Sequence, residues 1–283
     1  VLFRSGRLMS NIMDIARSAV GAYRTALGVT GENIANVNTA SSALTLHFDV
    51  NTQNGMTISA QSLTGKANAD LTATAPGARI FLKVKDGYYV ESGSGTSDAT
   101  HSRWQTNMGD LVVWADADGD GTGSMIFGYY LQFNTANGST SSGAVSGGGD
   151  VVFAGGTTSD AVGFPTGYVG TAGDRSFQLA DWTGVYSGGG DIKIKARTNS
   201  TFGVILYQSV EIFSGTGLID IEGVSTGTGG TYGVAFIDPG GWPGHTAGPM
   251  TMVSAATASP AVKVRGVTAG SGQGVRFWGS NAA

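Results

Sequence analysis

The sequence predicts a mainly β protein: a parallel β-helix (β-solenoid) preceded by a single amino-terminal α-helix. Three observations carry that expectation. One phrase recurs, a glycine followed by alternating apolar and polar residues: Gly-Asp-Leu-Val-Val-Trp at 109–114, Gly-Asp-Val-Val-Phe-Ala-Gly at 149–155, Gly-Asp-Ile-Lys-Ile-Lys-Ala at 190–196, Gly-Leu-Ile-Asp-Ile-Glu-Gly at 217–223 and Ala-Val-Lys-Val-Arg-Gly at 261–266. A second short phrase beginning Gly-Val recurs between them at 203, 233 and 274, and the spacings are 40 (109 to 149), 41 (149 to 190) and 41 (233 to 274). Self-similarity at such a period marks a solenoid or array. Glycine is also extreme, 47 of 283 residues with only 6 prolines and no collagen triplet, and it falls between the apolar phrases where tight turns are needed.

Residues 1–8 open with Val-Leu-Phe-Arg-Ser, which the end of a sequencing-adaptor DNA would encode. They are expected to be a non-native leader, with Met9 as the start. Residues 9–40 read as a heptad helix: Ile12, Ile15, Ala19, Ala22, Ala26 and Val29, followed by Asn33 and Asn36, step by three and four alternately. Ser10 suits the cap and Asp14 the first turn, while Gly21 and Gly28 each weaken the helix by about 1 kcal/mol relative to Ala. Such a helix needs a partner, either the β-domain that follows or a sister helix approaching its small seam residues.

The stretch from Ile15 to Leu27, followed by Asn33, Ile34, Ala35, Asn36, Val37, Asn38 and Thr39, resembles the amino-terminal segment of flagellar rod, hook and hook-associated proteins, the hook–filament junction proteins among them. The resemblance covers about 30 residues and ends where Ala40, Ser41 and Ser42 replace the family's continuation. It implies a coiled-coil helix that assembles with sister flagellar subunits.

From Leu44 onward the period is two, as at 44–50, 56–60 and 78–84, and residues 41–283 read as one β-solenoid domain. The change between 39 and 44 fits either a helix-to-sheet boundary or a joint between unrelated coding sequences. Ile192, Ile194, Ile219, Ile221, Val262 and Val264 are expected inside; Asp191, Lys193, Lys195, Asp220, Glu222, Lys263 and Arg265 outside. A spacing near 41 fits two coils or one coil with a long loop. A β-sandwich or up-and-down barrel is the rival, but only Asn54-Gly55 and Asn137-Gly138 give the hairpin signal it needs.

The phrases at 111–121, 146–156 and 184–196 resemble filamentous-haemagglutinin-like repetitive exoproteins, over roughly residues 45–283. That resemblance implies a right-handed β-helix shaft in a secreted or cell-surface bacterial adhesin without catalytic residues. The implied partners are glycans or proteins on a host or neighbouring cell.

Charged residues make up 13% and the net charge is −4, which argues against nucleic acid as a partner. Absence of cysteine excludes disulfides and thiolate sites. No apolar run is long enough to span a bilayer as a helix.

Asp116, Asp118 and Asp120, alternate residues followed by Gly121, match the first half of a Ca²⁺ loop, and Ca²⁺ is the one cofactor the sequence suggests. The twelfth position, which should be a bidentate Glu, is Phe127, so an acidic turn between strands is the stronger expectation. His47, His101 and His245 lack ligand spacing. Asp150, Asp191 and Asp220 would stack on aligned coils, where satisfying backbone donors is the expected role. Trp104, Trp114, Trp182, Trp242 and Trp278, with Tyr88, Tyr89, Tyr129 and Tyr130, are expected mostly as core fillers; Trp242, flanked by Gly and Pro, is the one a loop would struggle to bury. A non-catalytic extracellular adhesion segment is the leading functional expectation. A flagellar axial component is the alternative and a β-helical polysaccharide-active enzyme the third.

Overall fold

The computed structural model describes residues 38–46, 50–91, 102–170, 173–238 and 248–278. Among these every regular element is a strand, and the twenty strand pairs are parallel with one exception. The seam helix expected over 9–40 lies outside the described residues apart from its last three positions. Asn38, Thr39 and Ala40 open strand β1 (Asn38–Leu46) instead, with Asn38 opposite Ser59 and Thr39 opposite Ala60 of β3 (Met56–Gly65). The β pattern therefore begins a few residues before the sequence shows it, because a waiting parallel edge sets where pairing starts.

The chain winds around three faces. The first carries β5 (Ile80–Val84), β8 (Leu111–Ala115), β11 (Val151–Ser159), β15 (Ile192–Thr198), β18 (Ile219–Ser225) and β21 (Val262–Thr268). The second carries β6 (Tyr88–Val90), β9 (Met125–Phe127), β13 (Arg175–Leu179), β16 (Phe202–Tyr207), β19 (Tyr232–Ile237) and β22 (Gln273–Trp278). The third is a seven-stranded sheet of β2 (Val50–Thr52), β4 (Leu71–Pro76), β7 (Ser102–Asn107), β10 (Leu131–Asn134), β14 (Gly184–Tyr186), β17 (Glu211–Gly215) and β20 (Thr251–Ser254). β3 runs along two faces, pairing β5 through its first half and β6 through its second, so those faces join into one fifteen-stranded sheet.

Met56, Ile80, Leu111, Val151, Ile192, Ile219 and Val262 form one rung-to-rung ladder. Its steps run from 24 residues (56 to 80) to 43 (219 to 262), so each spacing near 41 is a single winding carrying a long loop. The near-universal parallel pairing excludes the sandwich and barrel among the described residues. The exception is β12 (Pro165–Gly167), which folds back antiparallel on β11 in a surface excursion the sequence does not announce.

Inward positions merge into one core. At its middle, Phe127 packs edge-on against Trp104, Phe133, Phe153 and Phe177, with ring centroids 4.8–5.9 Å apart. These five rings come from all three faces and close the interior as a plug. Ile192, Ile194, Ile219 and Ile221 are buried as expected, whereas Val262 in the eighth winding is 37% exposed because no described strand covers it.

One corner sets how closely the windings approach. Gly109, Gly149, Gly190 and Gly217 occupy equivalent positions. A Cβ on Gly190 would lie 2.3 Å from the backbone of Gly149, and one on Gly217 would lie 1.9 Å from the Gly190 oxygen. Beside them a column of hydroxyls closes the turn: Ser214 Oγ donates to the Gly217 oxygen at 2.7 Å, and Thr106 and Ser187 make the same bond three residues on, to Gly109 and Gly190. Gly190→Ala is expected to cost about 1–3 kcal/mol by overpacking. Gly229→Ala, with open space around it, is expected to be neutral; urea unfolding of the two variants checks the difference.

Candidate functional site

Asp116 follows β8 and turns the chain with φ +50°, helped by Gly119 at +71° and Gly121 at +84°. Its carbonyl accepts from the Gly119 and Gly156 amides at 3.0 and 3.1 Å, and its Oδ1 accepts from the Gly121 amide at 3.0 Å. Asp120 Oδ1 accepts from the Thr122 amide at 2.8 Å and from its hydroxyl at 2.6 Å. The turn brings one carboxylate oxygen each of Asp116, Asp118 and Asp120 within 4.8 Å of one another, the first buried and the others exposed. Burial pushes the Asp116 carboxyl above its ordinary range, with the neighbouring Asp120 and Asp118 charges adding to the rise and the Gly121 amide opposing it. Asp120 is held below the ordinary range by its bonds to Thr122. Phe127, at the position where a Ca²⁺ loop would need its bidentate Glu, is fully buried in the aromatic plug. The arrangement is that of an acidic turn whose carboxylates hold turn amides. It lines one side of a cleft of about 550 Å³ that also includes Tyr168, Arg197 and Thr198.

The aspartate stack forms, but with Asp110 in place of Asp220. Asp110 Oδ1 accepts from the Asp150 amide at 3.0 Å, Asp150 Oδ1 from the Asp191 amide at 2.8 Å, and Asp191 Oδ1 from the Leu218 amide at 3.0 Å. Each carboxylate thus closes the gap to the next winding. Arg79 sits at the foot of the stack, 2.9 Å from Asp110, and Lys193 lies 3.5 Å from Asp191. Asp220 stands two strand positions further on, opposite Lys193 and Lys263. The outward charges form a second row in which Glu222, almost fully buried, takes Arg265 at 2.7 Å and Lys195 at 3.9 Å.

The aromatic residues divide. Trp104 and Tyr88 are core, and Trp114 is buried beneath the Lys83 ammonium, its Nε1 donating to the Gly156 oxygen at 2.7 Å. Tyr89 is half exposed, and Trp278 lies under Arg276, 4.5 Å from its guanidinium. Tyr130 and Trp182 stack at 6.2 Å on a corner where both backbones are left-handed. The three histidines and Trp242 lie outside the described residues, as do Ile12, Ile15, Ala19, Ala22, Ala26, Val29, Asn33, Ile34, Ala35, Asn36 and Val37.

The sequence reading missed the third face, where Glu211 receives the Tyr186 hydroxyl at 2.6 Å. Its residues carry no recurring phrase, and loops of unequal length separate them from the Gly-Asp signal. Comparisons with family models, curated proteins and solved structures find no match to this chain.

Burial also raises the Asp150 carboxyl, and the Asp191 and Asp110 charges act in the same direction, against the Asp191 amide and Lys193. A raised folded-state value stabilises below the free-carboxyl range near 3.9, and this contribution is lost as pH rises through the folded value. Asp150→Asn keeps an acceptor for the Asp191 amide and is expected to flatten the fall in thermal midpoint as pH rises above the free-carboxyl range. Asp150→Ala is expected to cost about 1 kcal/mol at acidic pH, where the carboxyl is protonated, and less at neutral pH. Asp116→Ala is expected to lower the midpoint equally with and without a chelator, as a turn role requires, while Asp118→Ala leaves it unchanged; thermal scans in both buffers check this.

Proposed function

We propose that this chain is a non-catalytic, extracellular structural and adhesive segment of a bacterial surface protein, wound as a right-handed parallel β-helix. The observation that carries the reading is the winding itself: parallel strands on three faces around a continuous core, with outward ionic side chains paired from one winding to the next. Right-handedness follows from the crossover rule for parallel strands. A surface solubilised largely by hydroxyls and paired charges, with a net charge of −4, suits contact with glycans or proteins of another cell better than contact with nucleic acid. The clustered carboxylates support the same reading, since those of Asp110, Asp150 and Asp191 are committed to amides of the next winding.

The test uses the full chain on beads. Coated beads are expected to adhere to glycoprotein-bearing cell surfaces above an albumin control. The soluble chain is expected to release no new reducing or unsaturated ends from a panel of polysaccharides. Appearance of such ends overturns the non-catalytic reading, and adhesion no better than albumin overturns the adhesive one.

A further inference from the structure

Across the outside of the third face, Gln132, Gly184, Glu211 and Thr251 stand in register on four neighbouring strands, β10, β14, β17 and β20. At the usual strand spacing this row is about 14 Å long. Along one side runs the corner with left-handed φ at Tyr130, Trp182 and Ser209. Tyr130 and Trp182 stack with an interplanar angle of 15°, and the ring column stops there because the next winding supplies Ser209. Together these residues bound a groove of about 390 Å³, within the size range of ligand sites.

Gly184 decides the floor. A Cβ there would lie 2.3 Å from the Tyr186 ring, so the absence of a side chain lets that phenol lie flat across the strand. The Tyr186 hydroxyl then reaches Glu211 Oε2 and fixes the carboxylate, leaving Oε1 to accept from a ligand. Gln132 and Thr251 are half-buried, and neither side chain has a hydrogen-bond partner among the described residues. The groove thus pairs aromatic surface with a line of acceptors and donors, and Glu211 carries the one formal charge among the described lining residues.

We propose that this groove binds a neutral pyranose ring of a surface glycan, one face against Trp182, which the buried Tyr130 ring backs, and its hydroxyls on Glu211, Gln132 and Thr251. This rests on the adhesive reading above and names its ligand class. A pyranose presents apolar C–H groups on its faces and hydroxyls around its rim, which matches an aromatic wall beside a polar row. The Glu211 charge, with no cation lining the groove among the described residues, disfavours sialic acid and uronates.

Saturation-transfer NMR on the full chain tests this, with methyl glycosides of mannose, galactose, glucose and N-acetylglucosamine as probes and methyl sialoside as the acidic probe. At least one neutral glycoside is expected to show transfer and the sialoside none. Trp182→Ala is expected to weaken the neutral interaction at least about tenfold, with Trp182→Tyr restoring most of it. Gln132→Ala, on the outer surface, is expected to weaken it several-fold without altering the thermal midpoint, which guards against misfolding of the corner variant. Absence of transfer from every neutral glycoside, preference for the sialoside, or affinity unchanged in both Trp182→Ala and Gln132→Ala overturns the proposal. So does binding of an aromatic-rich peptide by these residues without any response to sugars. If no glycoside binds while coated beads still adhere, this inference fails and the adhesive reading stands. If a glycoside binds through Trp182 while beads do not adhere, the groove stands and adhesion falls.

Discussion

Everything in this molecule depends on the separation of its windings. Parallel strands pair only at one spacing, and three faces must keep that spacing together. A single corner that stood too high would open the ladders on both sides. Gly109, Gly149, Gly190 and Gly217 answer this constraint directly, since a methyl group on Gly190 or Gly217 would meet the backbone of the winding below at well under van der Waals distance. The aromatic plug works with them from inside, because Phe127 and its four ring neighbours fill the section in the third to fifth windings.

Polar groups near the interior are handled by the same repetition. A corner amide without a backbone partner recurs in successive windings, so one side-chain solution can recur with it. The carboxylates of Asp110, Asp150 and Asp191 each take the amide above, and the hydroxyls of Thr106, Ser187 and Ser214 each take the carbonyl three residues on. Half-burying and stacking carboxylates carries an electrostatic cost: burial first, with the Asp191 and Asp110 charges adding to it, raises the Asp150 carboxyl. The cost is tolerated because Arg79 and Lys193 stand beside the column and solvent reaches it.

The first face was legible in the sequence because its phrase does two jobs at once. The glycine marks the close corner, and the alternation after it marks which side is buried, so Ile192, Ile194, Ile219 and Ile221 could be placed inside. Val264 packs against the core only partly, since its winding has no described neighbour above. The third face could not be read this way. Its strands are three to six residues long, and the connections before them vary from the three residues 208–210 to the thirteen residues 238–250, so Trp182, Glu211 and Tyr186 share no offset from any signal. Asp220 belongs to the alternation within its strand, whereas stacking follows position relative to the corner, which Asp110 holds. Asn38 and Thr39 show the same limit at the other end, where a motif read as part of a helical segment is drawn into a ladder by β3.

The connections themselves have a further meaning. Between the third and first faces the chain needs only the three residues 108–110 in one winding, yet takes the sixteen residues 135–150 in the next, and the strands on either side keep their register. Length at a bend is therefore decoupled from order within the stack. A longer or different bend changes what the rod displays to its surroundings without asking the interior to move, much as tool heads are exchanged on a handle of fixed gauge.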